Sequence, residues 1–425
     1  MKRLFATIIA IIFVAGILFF YLMPPQKEVI ETESPYNIDT YNRDKKKILI
    51  FSSKGGGGHT SVTNALYQYL EHDYCLGTSY IIPHILKSID VFQKFSNEKV
   101  TFEDMHNWLA KKKWFSLLNL EYNLGLWFFA LNRKNIEKSI EEYLLAYPPD
   151  LIISVVTVAN GMVLSVAKKL NIPFLLIPTD LDAFAFLNQL DNPKYDKFHI
   201  ALSYDKKSIR KQFEQKKIKS DYITYTGFPV KKEFLEPSIP KKYIREAFAI
   251  PNNKPVILLM MGSLGSDELL HFSKELSKLS ISAHIIIALG KNEQIKAHIE
   301  KIKFPEHITK TVLGFTDKMP AIMAISDLFI TKPGSVSINE AIYTEVPILL
   351  DNTTKTIAWE KFNSGFILDT GIGEVITKYN QIIPLVTNLL TDKEKRSQIK
   401  KNFQKLTHKN PEQEIRLLVK QILNK

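Results

Sequence analysis

The stretch "KKKILIFSSKGGGGHTSVTNALYQYL", Lys45 to Leu70, decides the reading of this chain. Its opening "KILIFS" (47–52) has the length and β-branched content of a buried strand, and "VTNALYQYL" carries apolar residues at helical spacing. Between them stand Gly55 to Gly58 and then His59. A glycine-rich turn from strand into helix exposes backbone N–H groups and the positive end of the helix dipole, an arrangement that suits a diphosphate. It is not a Walker A loop, in which Lys and Ser/Thr follow the last glycine, because Lys54 precedes the glycines here. A dinucleotide fingerprint fits poorly, since Thr60 stands where the third glycine belongs. Close packing of strand on helix is the plainer alternative.

Outward from this turn, short β-branched runs alternate with helical patterns, as in a parallel sheet covered on both faces. The first series is "KILIFS" (47–52), "LIISVV" (151–156), "FLLIPT" (174–179), "HIALS" (199–203) and "YITYT" (222–226). The second is "PVILLMM" (255–261), "HIIIAL" (284–289), "TVLGF" (311–315), "DLFIT" (327–331) and "PILLD" (347–351). The fold class expected is α/β, with two doubly wound domains at 45–230 and 231–425. The break falls in the proline- and charge-rich "GFPVKKEFLEPSIPKKY" (227–243). Residues 379 to 423 read as helix without a strand, and no internal repeat is evident.

The 425 residues, 45% of them hydrophobic, suffice for two or three domains with cores of their own. A formal charge of +12 favours anionic partners. No recognition helix or RNA-stacking motif accompanies it, so lipid phosphate is a simpler partner than nucleic acid. Cys75, the single cysteine, excludes intrachain disulfides and thiolate zinc sites.

From Leu4 to Met23 the chain runs "LFATIIAIIFVAGILFFYLM", about twenty apolar residues and enough to cross a membrane. It ends without a small-residue cleavage site, so residues 1–23 read as an uncleaved single-pass anchor and 24–44 as a tether. Lys2 and Arg3 before the span, with Glu28, Glu31 and Glu33 after it, predict catalytic domains outside the cytosol. Between residues 85 and 135, "NWLAKKKWFSLLNLEYNLGLWFFALNRK" (107–134) combines Trp108 and Trp114 with Lys111, Lys112 and Lys113. Such a segment can lie in an anionic lipid interface, or it can be helices packed on the sheet with lysines at their exposed ends.

The second half repeats the phosphate logic. In "GFTDKMPAIMAISDLFITKPGSVSINEAIYTEVPILL" (314–350), Gly334 and Ser335 open a helix that carries Glu340 one to two turns inside. A carboxylate so placed can accept both hydroxyls of a ribose while the helix N-terminus faces a diphosphate. Asp180 and Asp182, in "TDLDAF", end a predicted strand, the usual place for function in a doubly wound sheet. An N-cap role for the aspartate is the structural alternative.

In order along residues 46 to 405, "SSKGGGGHTSV", "YPPDLIISV", "IPTDLDA", "TGFPV", "MMGSLGS", "LGFTDKM" and "ITKPGSVSINEA" resemble glycosyltransferase family 28. The resemblance is to the monogalactosyldiacylglycerol synthases and bacterial diacylglycerol glucosyltransferases, and more distantly to the peptidoglycan lipid-intermediate N-acetylglucosaminyltransferase. It implies a GT-B enzyme, two Rossmann-like domains facing a cleft, with the lipid acceptor on the N-terminal domain and a UDP-sugar on the C-terminal one. Carried over, Gly314 and Phe315 lie by the uracil, Glu340 takes the ribose, and Gly334, Ser335, Gly262 and Ser263 cradle the diphosphate. Gly57 and Gly58 let backbone approach diphosphate and acceptor. His59 serves as general base in an inverting displacement, with Asp180 its rival. No metal or other cofactor is expected, because backbone N–H groups and helix dipoles can stabilise the departing diphosphate.

The chain departs from the family in three places. Ala183 to Phe186 replace a His-x-x-Trp-like element, Val336 stands where many relatives have glycine, and Trp359 replaces the glutamine of a sugar-contacting motif that keeps Glu360 and Asn363. The resemblance therefore leaves donor sugar and acceptor open. The expected function is transfer of a hexose from a UDP-sugar to diacylglycerol. Alternatives are another polyprenyl or glycolipid acceptor, a non-catalytic nucleotide-sugar or lipid-binding relative, or a sugar-nucleotide 2-epimerase. UDP-sugar supply places the catalytic domains on the cytosolic face, against the charge argument.

Overall fold

The computed structural model of the chain describes residues 34–36, 45–54, 57–86, 90, 93, 100–111, 114–236, 239–262, 265–354 and 361–424. The expected anchor, nearly all of the tether, Gly55, Gly56, Lys112, Lys113, Ser263, Ala358, Trp359 and Glu360 lie outside them. Among the described residues no helix is long and apolar enough to cross a membrane.

In the first half, β1 (Lys47–Ser52), β2 (Cys75–Tyr80), β3 (Leu151–Ser154), β4 (Phe174–Leu176), β5 (Phe198–Leu202) and β6 (Ile223–Tyr225) form a parallel sheet in the order 2-1-3-4-5-6. In the second, β7 (Val256–Met260), β8 (Ala283–Ala288), β9 (Ile308–Leu313), β10 (Leu328–Thr331), β11 (Ile348–Asp351) and β12 (Gly373–Ile376) run parallel in the order 12-11-10-7-8-9. Each order reverses once, between β1 and β3 and between β7 and β10. Loops that leave neighbouring strands there turn to opposite faces of the sheet, and a crevice opens at the strands' carboxyl ends.

Central strands are apolar along both faces because helices cover both: Ile48 to Phe51 and Leu328 to Ile330 are fully buried. Each such side chain contributes ~1.5–3 kcal/mol relative to exposure. All ten anticipated strand runs contain a strand. The additional strands, β2 and β12, are the outermost of their sheets, and "CLGTSY" and "GEVI" lack the continuous apolar run of a strand buried on both faces.

Helix α1 (Gly58–Leu70) follows the glycine turn and buries Val62, Ala65, Leu66, Tyr69 and Leu70, one stripe at helical spacing. The aromatic-basic segment forms two helices, α2 (Phe102–Lys111) and α3 (Phe115–Leu131). Helix α4 (Ser335–Tyr343) follows β10, and α5 (Lys361–Thr370) supports it. The last helix, α6 (Pro411–Leu423), returns to α1, where Arg416 Nη2 reaches Asp73 Oδ2 at 2.7 Å.

The strap from β6 into the second half is pinned by two phenols. Tyr69, near the end of α1, donates to Val230 O and accepts from Val230 N at 3.2 Å. Tyr343, the last residue of α4, accepts from Phe228 N at 3.1 Å. Gly227 lies at φ +79° with the Tyr343 hydroxyl 2.5 Å from where a Cβ would stand, so the strap tolerates only glycine there.

Candidate active site

The two crevices face each other. Helix α1 starts at the β1 exit and α4 at the β10 exit; each has a glycine at its N-cap, Gly57 and Gly334, and no side-chain cap. Their first turns meet across the cleft, where a Cβ on Gly58 would stand 3.6 Å from Val336 Cγ2. That is ordinary contact, so packing against the described residues does not demand glycine at 58. Val336 fills the space opposite this glycine.

His59 is the second residue of α1. Its Nδ1 lies 2.7 Å from Val155 O and 3.1 Å from Thr179 Oγ1. A carbonyl can only accept, so Nδ1 carries the proton and the basic lone pair belongs to Nε2. Burial lowers the His59 pKa to about 4, against the raising effect of the Val155 bond, and His106 lowers it further. The imidazole is therefore neutral at pH 7, with its tautomer set by the backbone after β3.

Asp180 points at the other half of the protein. Ser335 Oγ donates to Asp180 Oδ1 at 3.1 Å and accepts from Leu181 N at 3.3 Å. Asp182 accepts from Phe184 N at 3.0 Å and from Gln212 Nε2 at 2.8 Å, a turn-stabilising role. Among the described residues no cluster of His, Cys, Asp and Glu is arranged to hold a metal ion.

On the C-terminal side, Glu340 is 9% exposed, and no described residue hydrogen-bonds its carboxylate. Burial raises its pKa to about 8, partly offset by Lys231. Asn363 is fully buried; its Nδ2 donates to Pro333 O at 2.7 Å and to Ser335 Oγ at 3.1 Å, so it braces the turn into α4 from behind. Gly262, at φ +78°, lies under Lys332, whose Cε is 2.7 Å from the position of a Cβ. Gly334 also faces Lys332 Cε, at 3.8 Å. Gly314 accommodates the Glu293 carboxylate, 2.0 Å from its own Cβ position, and the next ring, Phe315, is 64% exposed with Lys291 Nζ 5.7 Å from its centroid.

The structure thus gathers His59, Gly58, Asp180, Ser335 and Val336 at one cleft and places Asn363 behind it. Sequence reading overlooked Val155 and Thr179, which orient His59, and Lys332. Thr179 and Lys332 stand within the quoted "IPTDLDA" and "ITKPGS", whereas the Val155 contact is made by a main-chain carbonyl and has no residue-type signature.

Residues 256–415 match the family model described as glycosyltransferase family 28 C-terminal domain. A protein of Bacillus pumilus named processive diacylglycerol beta-glucosyltransferase is 29% identical over 87% of this chain and 93% of its own. One of the same name from Bacillus subtilis is 25% identical over 85% and 91%. MurG of Acinetobacter baumannii has a similar fold, with a TM-score of 0.59 at 16% identity, covering 89% of this chain and all of that one. The spinosyn rhamnosyltransferase SpnG with spinosyn aglycone has a TM-score of 0.55 at 12% identity.

Two parallel sheets whose switch points open on one cleft, with these structural neighbours, define a GT-B fold. Residues 256–415 are similar to the family 28 C-terminal domain, and over most of its length the chain is similar to proteins named processive diacylglycerol beta-glucosyltransferase, which makes it a transferase.

Proposed function

We propose that this protein transfers a hexose, with inversion, from a UDP-sugar to a lipid acceptor, diacylglycerol in the first instance, at a membrane surface. The observation that carries the reading is the fixed tautomer of His59 at the N-terminus of α1, opposite the N-terminus of α4. An acceptor hydroxyl gives its proton to Nε2 as its oxygen attacks the anomeric carbon, and the bond from that carbon to the diphosphate breaks. Glu340 takes the ribose hydroxyls; burial without a partner is what such a contact relieves. The diphosphate lies at Gly334 and Ser335 with the Gly262 turn, and Lys332 adds a cation beside both glycines. Gly314 and Phe315 offer an exposed ring to the uracil, Glu360 contacts the sugar, and Asn363 acts through the turn it braces.

Membrane contact is supported by α3. Leu117, Leu120, Trp127 and Leu131 are exposed, Trp127 by 50% and Leu131 by 64%, and fall on one face at about 100° per residue. Trp114 is 48% exposed, whereas Trp108 packs edge-on against it at 5.3 Å. In sequence, Lys111 ends α2 and Lys112 and Lys113 follow it. With the apolar run 4–23 as anchor, these features hold the cleft against the cytosolic leaflet, where UDP-sugars are supplied.

The test is transfer from radiolabelled UDP-sugars into membrane lipid by the full-length protein, with Glu340→Ala as control. A labelled lipid made only by wild type is the expected result. Binding of UDP without any labelled product would overturn the catalytic reading.

A further inference from the structure

One group beside His59 is not used by the chemistry above. Helix α2 meets the exit of β1, where its Glu103 accepts from Ser53 Oγ at 2.7 Å. One turn on, His106 sits near enough to His59 to oppose its protonation, and His106 Nδ1 lies 3.0 Å from Glu121 Oε2 on α3. The next residue, Tyr122, is bonded through its hydroxyl to Thr157 in the β3 exit loop and feels the charges of Asp180 and Asp182. His106 and Tyr122 thus face the wall that holds His59 and Asp180, with Glu121 bonded to His106.

The same hairpin is apolar outside. At about 100° per residue, Tyr122 points opposite the stripe of Leu120, Trp127 and Leu131, with Glu121 between. An acceptor with acyl chains and a hydroxyl-bearing head meets both surfaces along one helix. Its reactive hydroxyl has to reach His59 Nε2, so its head group lies beside the nearest polar groups on the N-terminal side.

We propose that His106, Glu121 and Tyr122 form the acceptor head-group subsite and hydrogen-bond a polyol. The carboxylate accepts from hydroxyls, and the imidazole and phenol both donate and accept. This rests on the transferase reading above. A diacylglycerol has one free hydroxyl, the one that attacks, whereas the sugar of an already glycosylated lipid has several, so the polyol is that sugar. Loss of Glu121 therefore affects the glycosylated acceptor.

The experiment uses Glu121→Gln and His106→Gln in the full chain, with dioctanoylglycerol and its monoglucoside in nonionic micelles. Acceptor KM is expected to rise about tenfold or more, as for loss of a charge-assisted hydrogen bond, with kcat and UDP affinity within about twofold. That rise is expected for the monoglucoside, with the KM for dioctanoylglycerol within about twofold; an equal rise for both overturns the sugar as the occupant. Unchanged acceptor KM, or an equal loss of UDP affinity, overturns the subsite. NMR of the His106 ring protons reads binding directly, and no shift on adding either acceptor overturns it even where wild type makes no product. Absence of product from wild type together with a His106 shift would instead overturn the transferase reading. Tyr122→Phe serves as a second variant should Glu121→Gln not fold.

Discussion

Ser335 and Asp180 are joined across the cleft by a 3.1 Å hydrogen bond that places a carboxylate at the mouth of α4. The dipole of α4 and its N–H groups, which no side chain caps, favour an anion there, and the Asp180 carboxylate is one. A diphosphate entering the same mouth must displace Asp180. Asp180→Asn is expected to bind UDP about three- to tenfold more tightly, through loss of a like charge, while Ser335→Ala binds it several-fold more weakly. Calorimetric titration checks both, and equal affinities in wild type and Asp180→Asn would remove this competition.

On the proposed reading, Glu340 links nucleotide binding to pH. Its folded pKa, about 8, lies above the ordinary carboxylate value of 4.5, so the folded state holds this proton more tightly than the unfolded one. Its contribution to stability is complete below pH 4.5 and is lost as pH rises through 8. Glu340→Gln is expected to flatten that decline and to be more stable than wild type at pH 8, while UDP binds about tenfold or more weakly. Denaturant titrations at pH 5 and 8 read the first effect; an undiminished pH slope in the variant would contradict it.

His59 has the opposite sign. Its pKa falls from 6.5 to about 4 on folding, so its contribution is present above pH 6.5 and lost as pH falls through 4. The acid limb of kcat/KM for the free enzyme is expected well below the usual histidine range. His59→Ala is expected to keep UDP affinity and lower turnover by a factor of about 10²–10⁴. Wild-type turnover in this variant would shift the base to Asp180.

The phenol pins on the strap make a separate claim about rigidity. Tyr343→Phe leaves Phe228 N–H without its partner, and Tyr69→Phe does the same to Val230, at a cost of about 1–3 kcal/mol each. Urea unfolding measures it, and a midpoint within error of wild type for both variants would mean that water replaces the hydroxyls. Because α1 and α4 start at the cleft and end at these pins, loosening the strap is expected to lower turnover more than it raises UDP dissociation.

By itself the sequence determined the architecture and named several of the residues that the fold gathers at the cleft. Strands such as "KILIFS" and "DLFIT" are legible because burial on both faces leaves a continuous apolar run, and at Gly227 and Gly262 a positive φ restricts the residue type. Of the four edge strands, β6 and β9 were legible and β2 and β12 were not, because "CLGTSY" and "GEVI" lack a continuous apolar run. Only the tertiary structure decided relations between distant segments. Val155 sets the tautomer of His59 with a main-chain carbonyl, which any residue supplies. Asp180 bonds Ser335 from 155 residues away. Asn363 turned inward to brace a loop, and the aromatic-basic run divided into an apolar outer stripe and a polar inner row. Hydrophobic periodicity reports whether a side chain is covered, and the choice of what covers it is made when the two sheets meet.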